Sequence, residues 1–241
     1  AGMCAYDVEL AWLSGMLHDV GRFEQIKRYN TFSDADSVDH AKFGADLLFK
    51  DGLISTFLKG MVKCTGYKPG ALEDRYDSDG VFLYDRLNKS DMEMLELAIR
   101  CHNMYRIPQG LNSREQAFCN VLRDADKVDI FKVNIDTPLE EIYNTTTEEL
   151  MKSDITDEVL EAFDEEHCIL KAIRRTPADT VIGHVSLAYE LVYDESVRIT
   201  VEQGYLAKLM HFHSDNEETN RKMAMVREKM DSYVKKRIGE N

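Results

Sequence analysis

The chain has 241 residues, 44% of them hydrophobic, with 30 basic against 44 acidic side chains and a net charge of −14. That length and apolar share suffice for a buried core, while the negative field repels DNA, RNA and anionic membranes, so neither a nucleic-acid polymer nor a membrane is an expected partner. Five scattered cysteines (Cys4, Cys64, Cys101, Cys119, Cys168) without a CxxC pair argue against a disulfide frame or a zinc ribbon and point to a reducing, cytoplasmic setting, and no apolar run approaches about 18 residues.

Four prolines, thirteen glycines and repeated i, i+3, i+4 apolar spacing predict an all-α fold. The chain opens on Ala1-Gly2-Met3 and enters a helical pattern at once, so the numbering is expected to start after the true beginning. The first helix runs into Leu13-Ser-Gly-Met-Leu-His-Asp-Val-Gly-Arg22. Leu10, Leu13, Leu17 and Val20 recur on one buried face, Ala11, Ser14 and Gly15 leave room beside His18, and Gly21 reads as a left-handed stop. Neighbouring helical residues point about 100° apart, so His18 and Asp19 can grip one cation only near a helix end.

Phe23 to Asp39 is polar and aromatic, includes Arg28, and reads as a loop or broken helix at a substrate rim. A helix follows from Asp39 to Phe49, with His40 in its first turn, Phe43, Leu47 and Leu48 on its buried side and Gly52 at its end. Residues 54–89 contain Lys68-Pro69-Gly70 and Asp77-Ser78-Asp79-Gly80, both turn chemistry, and read as an irregular insertion or lid. Ser90 and Glu93 suggest a capping box for a helix to about Met104, on which Leu95, Ala98, Ile99 and His102 share a stripe. The next helix, Ser113 to Val133, places Cys119, Leu122, Asp126, Ile130 and Val133 on one face. An unpaired carboxylate in such a stripe costs several kcal/mol, a cost that a metal ion removes. Beyond Thr137 the chain is acidic and helical, with helices at Thr147, from Asp154 to Glu166, from Pro177 through His184, and from Asn216 to Ile238.

His18, Asp19, His40, His102 and Asp126 thus form an N/O donor set without thiolates, suited to one or two divalent ions (Mn, Fe, Co, Ni, Zn or Mg) and unlike a closed structural zinc site. Two such ions can activate water and clamp the oxygens of a phosphoryl transfer.

The order His18-Asp19-Val-Gly-Arg22, His40-Ala-Lys-Phe-Gly44, His102-Asn103 and Asp124-Ala-Asp-Lys127 resembles the HD-domain superfamily of metal-dependent phosphohydrolases. The resemblance covers roughly residues 1–135, implying an HD-type helical core there, while the helices over 136–241, set off by no Pro/Ser-rich linker, are expected to pack on it. It implies that His18 and Asp19 are the metal-binding doublet and Asp126 the closing aspartate. His40 and His102 match the extra histidines of two-metal members such as the HD-GYP branch, whose Gly-Tyr-Pro segment is not found here. The family's first histidine lies upstream of the doublet, and no histidine precedes His18. Asn103 stands where binuclear members often carry a second histidine.

The expected activity is hydrolysis of a nucleotide or another small phosphorylated metabolite by metal-activated water. Asp19 manages protons, Arg22 steadies developing charge, and Arg22, Arg28 and Lys127 contact the phosphate. An alternative is a nucleotide-sensing module that binds without cutting.

Overall fold

The computed structural model describes residues 3–60 and 87–239, and among these every regular element is helical, with no strand. The turns expected at Lys68-Pro69-Gly70 and Asp77-Gly80, and with them most of the expected lid, lie outside the described residues. No described helix is long and apolar enough to cross a membrane. Two compact units divide the chain, Ala1–Arg123 and Asp124–Asn241. The division falls inside a helix that contains no proline or glycine to mark it.

The first unit contains α1 (Ala5–Leu17), α2 (Val20–Tyr29), α3 (His40–Ala45), α4 (Ile54–Gly60), α5 (Lys89–Cys101) and the start of α6 (Ser113–Asp136). Leu10, Leu13 and Leu17 form the buried stripe of α1, joined by Leu95, Ala98 and Ile99 of α5 and by Phe118 and Leu122 of α6. Burying each such leucine contributes about 1.5–3 kcal/mol. The start of α5 is tied in by Asp91, which accepts hydrogen bonds from Tyr6 Oη and from Arg114, while Arg114 also pairs with Asp7 at 2.9 Å.

Several local expectations are corrected here. The first helix stops at Leu17, with His18 and Asp19 between two helices, and Gly21 lies inside α2 instead of ending α1. Its role is close approach: a Cβ on Gly21 would lie 2.2 Å from the carbonyl oxygen of His40, so only glycine lets α2 meet α3. Phe23 to Tyr29 is helical, and only the stretch after it is a loop. The helix expected from Asp39 to Phe49 is present as a helical stretch from His40 to Lys50, with Asp39 as its cap and its last part, Asp46–Lys50, widened into a π-turn before Gly52 at φ 78°. Leu48 is buried there, whereas Phe43 and Leu47 are half-buried. Asn88, not Ser90, caps α5. Its side chain accepts the Asp91 amide while Asp91 reaches back, and the helix ends at Cys101 with His102 just beyond.

In the second unit, α6 runs on to Asp136 and is followed by α7 (Leu139–Tyr143), α8 (Thr147–Lys152), α9 (Asp157–Asp164), α10 (Pro177–Val185), α11 (Asp194–Gln203), α12 (Tyr205–Met210) and α13 (Glu217–Ile238). Reciprocal capping boxes start α8 (Thr146 with Glu149) and α10 (Thr176 with Asp179). The core gathers Phe131, Leu150, Ile155, Phe163, Ile182 and Met230. Along α6, Cys119 and Leu122 are buried as expected, but Val133 is 41% exposed, because the second core takes Phe131 and Asn134 instead. Asp124 is buried, and its carboxylate accepts the amides of Val192 and Tyr193 ahead of α11.

Candidate metal centre

The first unit brings His18, Asp19, His40 and His102 together. The break between α1 and α2 exposes the doublet, the first residue of α3 supplies His40, and the residue after α5 supplies His102. The histidine-doublet set His18, Asp19 and His102 has ligand atoms within 4.8 Å of one another. His40 Nε2 lies 3.0 Å from His102 Nε2 and 3.3 Å from Asp19 Oδ1, while His102 Nε2 lies 3.6 Å from the same carboxylate oxygen. His18 Nε2 lies 3.6 Å from Asp19 Oδ2. At metal–nitrogen distances of about 2.0–2.1 Å, two ligands on one ion sit about 2.9 Å apart at a right angle and about 3.3 Å apart at the tetrahedral angle. The His40–His102 and His40–Asp19 separations match that scale.

The other ring nitrogen decides what each imidazole presents. His18 Nδ1 lies 2.7 Å from the carbonyl oxygen of Gly15, and His102 Nδ1 lies 2.7 Å from that of Ile99. A carbonyl only accepts, so each Nδ1 carries the proton and each Nε2 of the neutral ring is a bare lone pair. His40 Nδ1 donates to Asp34, with oxygens at 2.7 and 2.9 Å, and its Nε2 is bare for the same reason. With both rings neutral, two lone pairs meet across 3.0 Å, beside Asp19 Oδ1, a buried oxygen with no hydrogen-bond partner among the described residues. Such an arrangement calls for a cation, so these residues fit a divalent ion.

Burial pushes the Asp19 pKa upward, but the protonated forms of His102, His18 and His40, together with the Arg22 charge, outweigh it and bring the value to about 2. Asp34 is likewise held well below the usual carboxylate range: its partial burial is overcome by hydrogen bonds from His40 and Gln25 and by the charge of Arg22. Both are ionised at neutral pH.

The remaining expected residues fall elsewhere. Arg22 Nη1 donates to the Phe32 carbonyl at 2.7 Å and to Asp34 at 3.1 Å, and its Nε lies 3.8 Å from Asp19. Arg28 is half-exposed, paired with Glu24 at 2.8 Å and stacked 5.1 Å over Phe43. Asn103 does not join the donor set; its amide donates to Asp39 at 3.0 Å and to Asp34 at 3.4 Å. Asp126, half-buried, and Lys127, buried, belong to the second unit, so their places as closing ligand and phosphate contact rest on the sequence. Asp34 and Gln25 were not singled out by sequence reasoning. Asp34, Asp36 and Asp39 all precede His40 in one polar loop, and nothing local separates the one that reaches the ring.

Family models, curated proteins and solved structures yield no match to this chain.

Proposed function

We propose that the protein is a metal-dependent hydrolase of phosphate esters acting on a nucleotide or another small phosphorylated metabolite. The observation that carries this reading is the convergence of the His40 and His102 Nε2 atoms on an ionised Asp19 carboxylate whose Oδ1 has no hydrogen-bond partner among the described residues, with His18 beside them. His18, Asp19, His40 and His102 would hold the ion, and the sequence adds Asp126 as a fifth donor. When bound, a divalent ion supplies Lewis-acid polarisation of a phosphoryl oxygen and activation of water.

The chain's own residues then have distinct tasks. Asp19 keeps a carboxylate at the donor cluster and offers its second oxygen, Oδ2, as a hydrogen-bond acceptor. Arg22 sets a fixed positive charge beside Asp19, and its Nη2, which no described residue engages, points to a role in holding a phosphate oxygen. With a net charge of −14, the protein repels phosphorylated molecules elsewhere, so the cationic centre is what makes such a substrate tolerable.

The test is release of phosphate, or of the alcohol, from general chromogenic phosphate mono- and diesters with Mn²⁺, Co²⁺, Ni²⁺, Fe²⁺ or Mg²⁺ supplied. The expected result is metal-dependent turnover that H102A abolishes. Stoichiometric metal without turnover on any ester contradicts the hydrolase reading, and tight nucleotide binding without cleavage would replace it with a sensing role.

A further inference from the structure

We propose that Asp34 is the positioning residue of this centre, fixing the tautomer and direction of His40 so that its Nε2 lone pair faces Asp19. The inference rests on the reading of His40 as a metal ligand. Three observations carry it. His40 is 4% exposed and its Nδ1 lies against both oxygens of Asp34, at 2.9 and 2.7 Å, a charged acceptor that favours the proton on Nδ1. Asp34 is itself immobilised from three sides: Arg22 Nη1 at 3.1 Å, Gln25 Nε2 at 3.0 Å and Asn103 Nδ2 at 3.4 Å. Gln25 is completely buried, and its amide NH2 donates also to Ser37 Oγ at 2.9 Å and the Val38 carbonyl at 3.0 Å, while its Oε1 accepts from Arg22 Nη1 at 3.2 Å.

His18 and His102 take their orientation from backbone carbonyls three residues earlier on their own helices. His40 stands at the first position of α3 and has no preceding helical turn to supply such a carbonyl. A carboxylate from the loop does the same work there and adds negative charge, which makes the ring a stronger donor to a cation. Arg22, in the first turn of α2, thereby acts on the centre through Asp34 as well as through its proximity to Asp19.

The experiment uses the full chain as wild type, D34A, D34N, H40A and D34A/H40A. In the metal-free protein, long-range ¹H–¹⁵N correlation of the imidazoles reads the His40 tautomer, and competition with a chromophoric chelator reads Co²⁺ affinity. Wild type and D34N, whose amide oxygen still accepts, are expected to keep the proton on Nδ1. D34A is expected to shift it toward Nε2 and to weaken Co²⁺ binding by about 10–100-fold. Adding D34A to H40A is expected to change affinity no further. An unchanged His40 tautomer in D34A, or an equal loss of affinity with and without His40, overturns the proposal while leaving the metal reading standing. Failure of the wild type to take up Co²⁺ removes both.

Discussion

Gly21 of α2 and Gly44 of α3 meet without a side chain between them: a Cβ on Gly21 would lie 2.7 Å from the amide nitrogen of Gly44, and one on Gly44 would lie 2.9 Å from that of Gly21. This backbone contact also fixes the spacing of two donor side chains, because α2 follows directly from Asp19 and α3 begins with His40. Gly21→Ala must therefore push the two helices apart and is expected to cost about 2–4 kcal/mol. Gly15→Ala, where a Cβ meets nothing within 4 Å, is the control. It lies within α1 and should stabilise by about 0.5–1 kcal/mol. Urea unfolding of both variants checks the pair. Equal effects would mean that the helix contact does not constrain the fold.

The cap of α5 gives a second contrast. Asn88 holds the amide of Asp91 at 2.9 Å, and Asp91 is 1% exposed and bonded to Tyr6 and Arg114. Asn88→Ala should cost about 1 kcal/mol. Ser90→Ala, with no capping role, should stay within about 0.5 kcal/mol. Chemical denaturation separates them, and a larger loss for Ser90→Ala would restore the cap expected from the sequence.

A third prediction concerns acid stability. Burial, helped by the charges of Arg174 and Lys171, lowers the His184 pKa from 6.5 to about 3, and its Nδ1 donates to Asn134 Oδ1 at 2.6 Å. The unfolded chain takes up the proton near its ordinary value and the folded one does not. The contribution is therefore complete above pH 6.5 and is lost as the pH falls from there towards 3, with a slope of at most about 1.4 kcal/mol per pH unit. His184→Asn keeps a donor for Asn134 without a titrating ring. Denaturation at pH 7 and pH 4.5 should show a smaller loss in this variant than in the wild type, and parallel losses would rule out the assignment.

The all-α class and the helix-forming stripes were legible because periodicity is a local property: Leu10, Leu13 and Leu17 lie buried where the spacing put them. Residue type and order named His18, Asp19, His40 and His102, which lie together in the first unit, along with Asp126, which belongs to the second. What local pattern does not encode is the identity of a partner across space. Gly21 looks like a helix stop until α3 is laid against it, and Asp34 is one of three similar loop carboxylates until His40 turns towards it. Asn88 and Ser90 are equally good caps on paper, and the choice falls to the residue that leaves helical dihedrals, Asn88 at ψ 171°. The division inside α6 has no sequence mark because one continuous helix serves two cores.

The central claim is that bare imidazole nitrogens and Asp19 hold a divalent ion. Elemental analysis after equilibration with Mn²⁺, Fe²⁺, Co²⁺, Ni²⁺ or Zn²⁺ and removal of excess tests it most directly. One or two equivalents in the wild type, lost in His102→Ala and Asp19→Ala while both variants remain helical by circular dichroism, is the predicted result. No stoichiometric metal in the wild type, or full retention in both variants, would contradict it.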